Sequence, residues 1–96
     1  MSILVGTSPE HNTRLLQTSD ASATLFHLDG GNPKAPFVIV HKPMEELNHR
    51  EVEEAARLCG DGKVMFTPIR NIRLGKNPGT YFTVHPRHIR YISFET

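Results

Sequence analysis

Apolar residues change their spacing several times along this chain, and each change marks an element. The apolar run at 2–5 is stopped by Gly6 and reads as a short strand. Ser8, Pro9 and Glu10 then supply a hydroxyl cap, a proline for the first helical position and an acid in the first turn. They predict a short helix over about 9–18. Leu15 and Leu16 are its only strong core residues, so it depends on tertiary packing. Positions 23–28 alternate as a strand ended by Asp29-Gly30-Gly31, and the β-branched and aromatic run 37–41 reads as a buried central strand. The Gly/Pro-rich stretch 30–36 between them predicts a hairpin loop. Asn48 with Glu51 opens the main helix, about 48–59, in the manner of a capping box. Leu47, Val52, Ala55, Ala56 and Cys59 share one face of it, charged residues cover the rest, and Gly60 stops it.

Beyond Gly62 the period becomes two. Strands are predicted at 63–67, 69–74, 81–84 and 89–94, with turns between the last three at 75–79 and 85–88. The pattern predicts an α+β fold: a mostly antiparallel sheet, one main helix on a face and a small N-terminal helix. With 96 residues the chain is read as one domain, 1–96.

Composition sharpens this picture mainly through charge. The net charge of +1 conceals two opposed halves. Residues 1–59 hold five Lys/Arg against eight Asp/Glu, a balance of −3, while 60–94 hold six against one, a balance of +5. An anionic partner is expected for the second half. The single Cys59 excludes an intramolecular disulfide and a multi-thiolate zinc site, and suits a reducing compartment. No apolar run approaches a membrane span and the N-terminus carries no leader pattern, so a cytoplasmic protein without a membrane partner is expected.

Candidate chemistry is sparse apart from these cations. His85 and His88 are the closest pair of six histidines, but Pro86 forbids the helix on which such zinc pairs usually sit and no acid follows before Glu95. Neither a nucleophile elbow nor a phosphate-binding glycine loop is present, and no cofactor, metal or catalytic residue is expected. Arg70, Asn71, Arg73, Lys76, Arg87, His88 and Arg90 fall on strands and turns where phosphates could reach them, with Tyr81 or Tyr91 available to stack on an unpaired base.

Taken in order, these segments resemble the NFACT-R domain, the RNA-binding module of ribosome quality-control NFACT proteins. The opening Ile3-Leu4-Val5-Gly6 with Asn12 and Leu15, the aromatic-His stretch Leu25-Phe26-His27-Leu28-Asp29, and the strand 35–40 are similar to its first half. The helix 53–58, the run Val64-x-Phe66-Thr67-Pro68-Ile69-Arg70-Asn71-Ile72 and the basic turn 73–79 are similar to its second half. The chain departs from the family in lacking Trp in the aromatic-His stretch, in having Pro36-Phe37 where the family has Ser-His, and in its short basic turn. It therefore looks like a reduced stand-alone member with no residues for the family's coiled coils. It is also similar to the small microsporidian dormancy factors that occupy tRNA sites on idle ribosomes.

The resemblance implies a noncatalytic, monomeric partner of the ribosome, touching rRNA and ribosomal proteins, and holding a tRNA site (the E-site above others) on dormant particles. It assigns RNA contacts to His27, Lys42, Arg70, Asn71, Arg73, Lys76 and Asn77, beside the Tyr81, Arg87, His88 and Arg90 drawn from the pattern. Two other readings stand beside it: a protein-interaction adaptor that uses the acidic helix, and a small nuclease that uses His85 and His88.

Overall fold

The chain's most β-prone segments occupy the middle of the structure. The computed structural model describes residues 2–30, 32 and 34–94. Strands β1 (Ile3–Val5), β2 (Thr24–Leu28), β3 (Val38–Val40), β4 (Gly62–Pro68) and β7 (Arg90–Phe94) form one sheet in the order β1-β3-β2-β4-β7, with every pairing antiparallel. Strands β5 (Ile72–Leu74) and β6 (Tyr81–Thr83) form a separate two-stranded hairpin. Helix α1 spans Pro9–Thr18 and α2 spans His49–Arg57. The α+β class and the antiparallel sheet follow the hydrophobic pattern. The β2–β3 loop includes positions 31 and 33, and the terminal acid is at 95; these lie outside the described residues.

Period-two alternation splits the core into two layers, one on each face of the sheet. On one face Phe26, Val38, Val40, Val64 and Phe66 meet Ala55, Ala56 and Cys59 of α2, and Phe26 stacks on Phe66 with ring centres 4.9 Å apart. On the other face Leu25, Phe37, Ile39 and Met65 meet Leu15 and Leu16 of α1, with Ile69, Ile72 and half-buried Tyr81 beside them. The β5–β6 hairpin thus serves as a lid over the second face. The capping box of α2 is complete: Asn48 Oδ1 accepts from Glu51 N–H and Glu51 Oε1 accepts from Asn48 N–H. Helix α1 is fastened through buried Asn12, which donates to the Ala35 carbonyl and accepts from Phe37 N–H at 3.2 Å. Gly6 passes so close to that amide that any Cβ there would overlap Asn12 Oδ1.

One predicted element is different. The strand expected over 69–74 begins as a 3-10 turn, Ile69–Asn71, and only Ile72–Leu74 is extended. Ile69 and Ile72 both point into the core at a spacing of three, which is the 3-10 repeat rather than the strand repeat. The chain turns a corner there, leaves the main sheet and enters the hairpin. A second 3-10 turn, Pro86–His88, brings it back to β7.

Candidate nucleic-acid interface

Both corners are held by two buried side chains. Asn71 donates from Nδ2 to Thr67 Oγ1 and to the His85 carbonyl, each at 3.0 Å, and accepts from His85 N–H at 2.7 Å. Thr67 Oγ1 in turn donates to the His88 carbonyl at 2.9 Å. The 85–88 turn is therefore fixed against the 69–71 turn, and Arg70, Arg87, His88 and the first residue of β7, Arg90, gather round one cleft of ≈ 250 Å³. Met44, Pro68 and a single acid, Glu45, complete its lining. Arg90 and Met44 also line a neighbouring cleft of ≈ 370 Å³ that runs along β7 past Phe66 and Ile92.

Among the described residues, most cations of the second half form no ion pair. Among the described residues, ion pairs join Lys42 to Glu51, Arg57 to Glu53, Lys63 to Asp29 and, more loosely, His49 to Glu53. None involves Arg70, Arg73, Lys76, Arg87 or Arg90. Three guanidiniums on one cleft, with Glu45 its single acid and no ion pair formed by them among the described residues, leave a net positive charge there that favours an anion. Arg73 donates to the carbonyls of Arg70 and Ile72, which orients its exposed head beside the same corner. Lys76 and Asn77 stand further off, at the exposed tip of the hairpin, where Gly79 N–H donates to Thr13 Oγ1 of α1.

Four of the sequence-assigned contacts change role. His27 is fully buried, with its ring edge-on to Phe37 and Tyr81, so it cannot touch RNA. Tyr81 is half-buried and its hydroxyl bonds His27 Nδ1 at 3.0 Å, which takes most of the ring out of reach of a base. Burial pushes the Tyr81 phenol up to about 12 and holds His27 below its ordinary value, so both groups are neutral at pH 7. The His27 Nε2 has no hydrogen-bond partner of good geometry, and the nearby Ala35 and Asn32 backbone only partly offsets the burial. Asn71 is buried and shapes the interface from beneath. Lys42 reaches both Glu51 oxygens at 3.1 Å and ties β3 to α2, so its charge is already matched.

A third cleft is one that the sequence reading does not anticipate. It measures ≈ 320 Å³ and lies between β6 and β7, with Met65, Tyr81 and Ile89 deep in it and Phe82 and Tyr91 at its rim. Phe82 is 59% exposed and Tyr91 50%, unusual for such large rings. Phe82 pairs directly with Arg73 across the hairpin, so the two share its outer face. The signal was present in the alternation: Tyr81 and Phe82 are neighbours in one strand, and only one can face the core.

Other features carry less. The broad depression on α2, ≈ 610 Å³, is lined by Arg50, Glu53, Glu54 and Arg57, and Glu53 and Arg57 neutralise each other within it. The rings of His85 and His88 lie 5.3 Å apart, but among the described residues no group of three His, Cys, Asp or Glu side chains could hold a metal ion. Cys59 is buried, which raises its thiol to about 12 and leaves it unreactive. Among the described residues no helix is long and apolar enough to cross a membrane.

Comparison with known proteins gives a fold and no family. No family model matches the chain, and no curated protein matches it in sequence. Among solved structures it is similar to the C-terminal part of the fibronectin/fibrinogen-binding protein from Streptococcus suis, with a TM-score of 0.77 and 15% identity. The match covers 94% of this chain and 39% of that one, so the chain spans well under half of the structure it matches.

Proposed function

We propose that this protein is a noncatalytic RNA-binding protein that acts on ribosomes. Its basic corner would occupy a tRNA site, the E-site above others, on idle particles. The observation that carries the RNA part is the convergence of Arg70, Arg87 and Arg90 on one cleft, none of them in an ion pair among the described residues, and the exposed Tyr91 that follows Arg90 on the edge strand and lines a neighbouring cleft with it. Unpaired cations next to exposed aromatic rings suit single-stranded or loop RNA, whose phosphates and unstacked bases are both accessible. The ribosome comes from the resemblance to the NFACT-R module, and the idle state and tRNA site from the resemblance to the microsporidian dormancy factors. In this reading the protein blocks a site as a monomer and recruits nothing. The fibronectin and fibrinogen binding for which the streptococcal protein is named stays with that protein, since 15% identity carries over the fold alone.

Binding of a fluorescent single-stranded RNA across a salt series tests the electrostatic core of the proposal. Four phosphates neutralised by Arg70, Arg73, Arg87 and Arg90 give a log–log slope of about −3. The double variant Arg70→Glu/Arg90→Glu should bind at least tenfold more weakly with a visibly shallower slope. A slope near zero in the wild type contradicts the proposal.

A further inference from the structure

Arg90 and Tyr91 are consecutive on the edge strand β7, where they pair with Phe66 and Met65 of β4. Consecutive strand residues point to opposite faces. The cationic cleft and the aromatic cleft therefore sit on the two sides of one free strand edge. A nucleotide lying across that edge sets its phosphate against Arg90 and its base against Tyr91.

The chemistry of the aromatic cleft narrows which base. Among the described residues that line it, Asp29 alone is charged. Its carboxylate accepts hydrogen bonds and offers a phosphate no donor, so the cleft favours a group that presents N–H donors. Lys63 stands beside it, with Nζ 3.7 Å from Asp29 Oδ2 and 4.3 Å above the Tyr91 ring. The rim thus offers a carboxylate with two acceptor oxygens next to an ammonium donor, over an aromatic face. Guanine presents two adjacent donors, N1–H and the N2 amine, followed by the O6 acceptor; each of the other three bases has a single donor group on that edge. A carboxylate takes two parallel N–H donors in a bidentate bond. The volume of ≈ 320 Å³ is at the low end of small-ligand sites, roughly 300–1,000 Å³, and suits one flat heterocycle.

We propose that the cleft between β6 and β7 is a reading pocket for one unpaired guanine, stacked between Phe82 and Tyr91, with Asp29 on its N1–H and N2 amine and Lys63 on O6. This inference rests on the RNA-binding reading above and names the base that reading leaves open.

Uridine nonamers carrying one central G, A, C or U, each fluorescein-labelled, separate the two ideas by anisotropy titration with the full chain. The G-containing oligomer should bind about tenfold more tightly than the others, in line with one well-stacked and hydrogen-bonded base. Asp29→Asn should abolish the G preference while leaving affinity for the all-U oligomer within about twofold, and Phe82→Ala and Tyr91→Ala should each cost the G oligomer most of its advantage. All three side chains are exposed, and unchanged melting temperatures confirm that the variants fold. Arg70→Glu should weaken all four oligomers alike. Equal affinity for the four bases, or a G preference that survives Asp29→Asn, overturns this inference and leaves the RNA reading standing. Failure to bind any oligomer at low salt overturns both.

Discussion

Asn71 makes no contact with solvent, yet its replacement should damage both stability and binding, because it holds the corner from which the arginines project. Asn71→Ala removes three hydrogen bonds of 3.0, 3.0 and 2.7 Å, leaving the His85 N–H and carbonyl and Thr67 Oγ1 short of a partner. A buried orphaned group costs about 1–3 kcal/mol. The two His85 groups are only part-buried and water will satisfy them in part, so about 2–4 kcal/mol in total is expected. Against a typical stability of about 5–15 kcal/mol the variant still folds, but it should melt some 10 °C or more lower. Urea denaturation measures the loss. RNA anisotropy should show a several-fold drop in affinity even though Asn71 touches no RNA, since Arg87 and His88 ride on the released turn. Asn71→Asp keeps the shape, loses both donors and buries a charge, so it should be at least as damaging. A stability loss below about 0.5 kcal/mol with unchanged RNA binding would refute the reasoning, because a lost net hydrogen bond alone is worth that much.

Other consequences follow from the same geometry. Gly6→Ala should destabilise the domain by about 2–3 kcal/mol in urea, through overlap with the Asn12 amide and loss of its grip on Phe37, with little effect on RNA affinity; a neutral substitution would show that the approach of Gly6 to Asn12 is not needed. Burial holds His27 below its ordinary 6.5, so the native state resists a proton that the unfolded chain accepts. Stability should be full above pH 6.5 and fall as pH drops below it, by at most about 1.4 kcal/mol per pH unit. Asp20 and Glu51, also held low, by hydrogen bonds to Ser22 and Asn48 first of all, add their loss only in more acidic solution, below their ordinary 3.8 and 4.5. Unfolding of His27→Phe between pH 7 and 5 should show a flatter dependence, and an unchanged slope would assign the effect to other groups.

How much of this was legible in the sequence varied with how local the signal was. The two helices are marked by side chains that act within one turn, Ser8 on the His11 N–H and Asn48 on the Glu51 N–H, and such pairs are visible in a linear reading. The main-sheet strands are marked by alternation and emerged within a residue or two of their bounds. The 69–71 corner was misread because Ile69, Arg70, Asn71 and Ile72 fit a strand nearly as well as a 3-10 turn; what decides is a contact from Asn71 to residue 85, fourteen positions away. Site residues divided along the same line. Arg70, Arg87 and Arg90 are polar positions on turns and an edge strand, and the structure leaves them exposed. His27 and Asn71 were assigned by type, and polar type alone does not reveal whether a partner waits inside the fold. Phe82 and Asp29 were passed over because an apolar residue in a strand reads as core and an acid after a strand reads as a turn. Their meaning depends on how β6 meets β7, which no local pattern encodes.

Sucrose-gradient sedimentation of the protein with purified ribosomes at low salt tests the central claim most directly. Wild-type protein should travel with the particles, excess deacylated tRNA should release it, and the Arg70→Glu/Arg90→Glu variant should stay at the top. Wild-type protein that remains at the top while ribosomes sediment, or a charge-reversed variant that sediments as well as the wild type, would contradict the account.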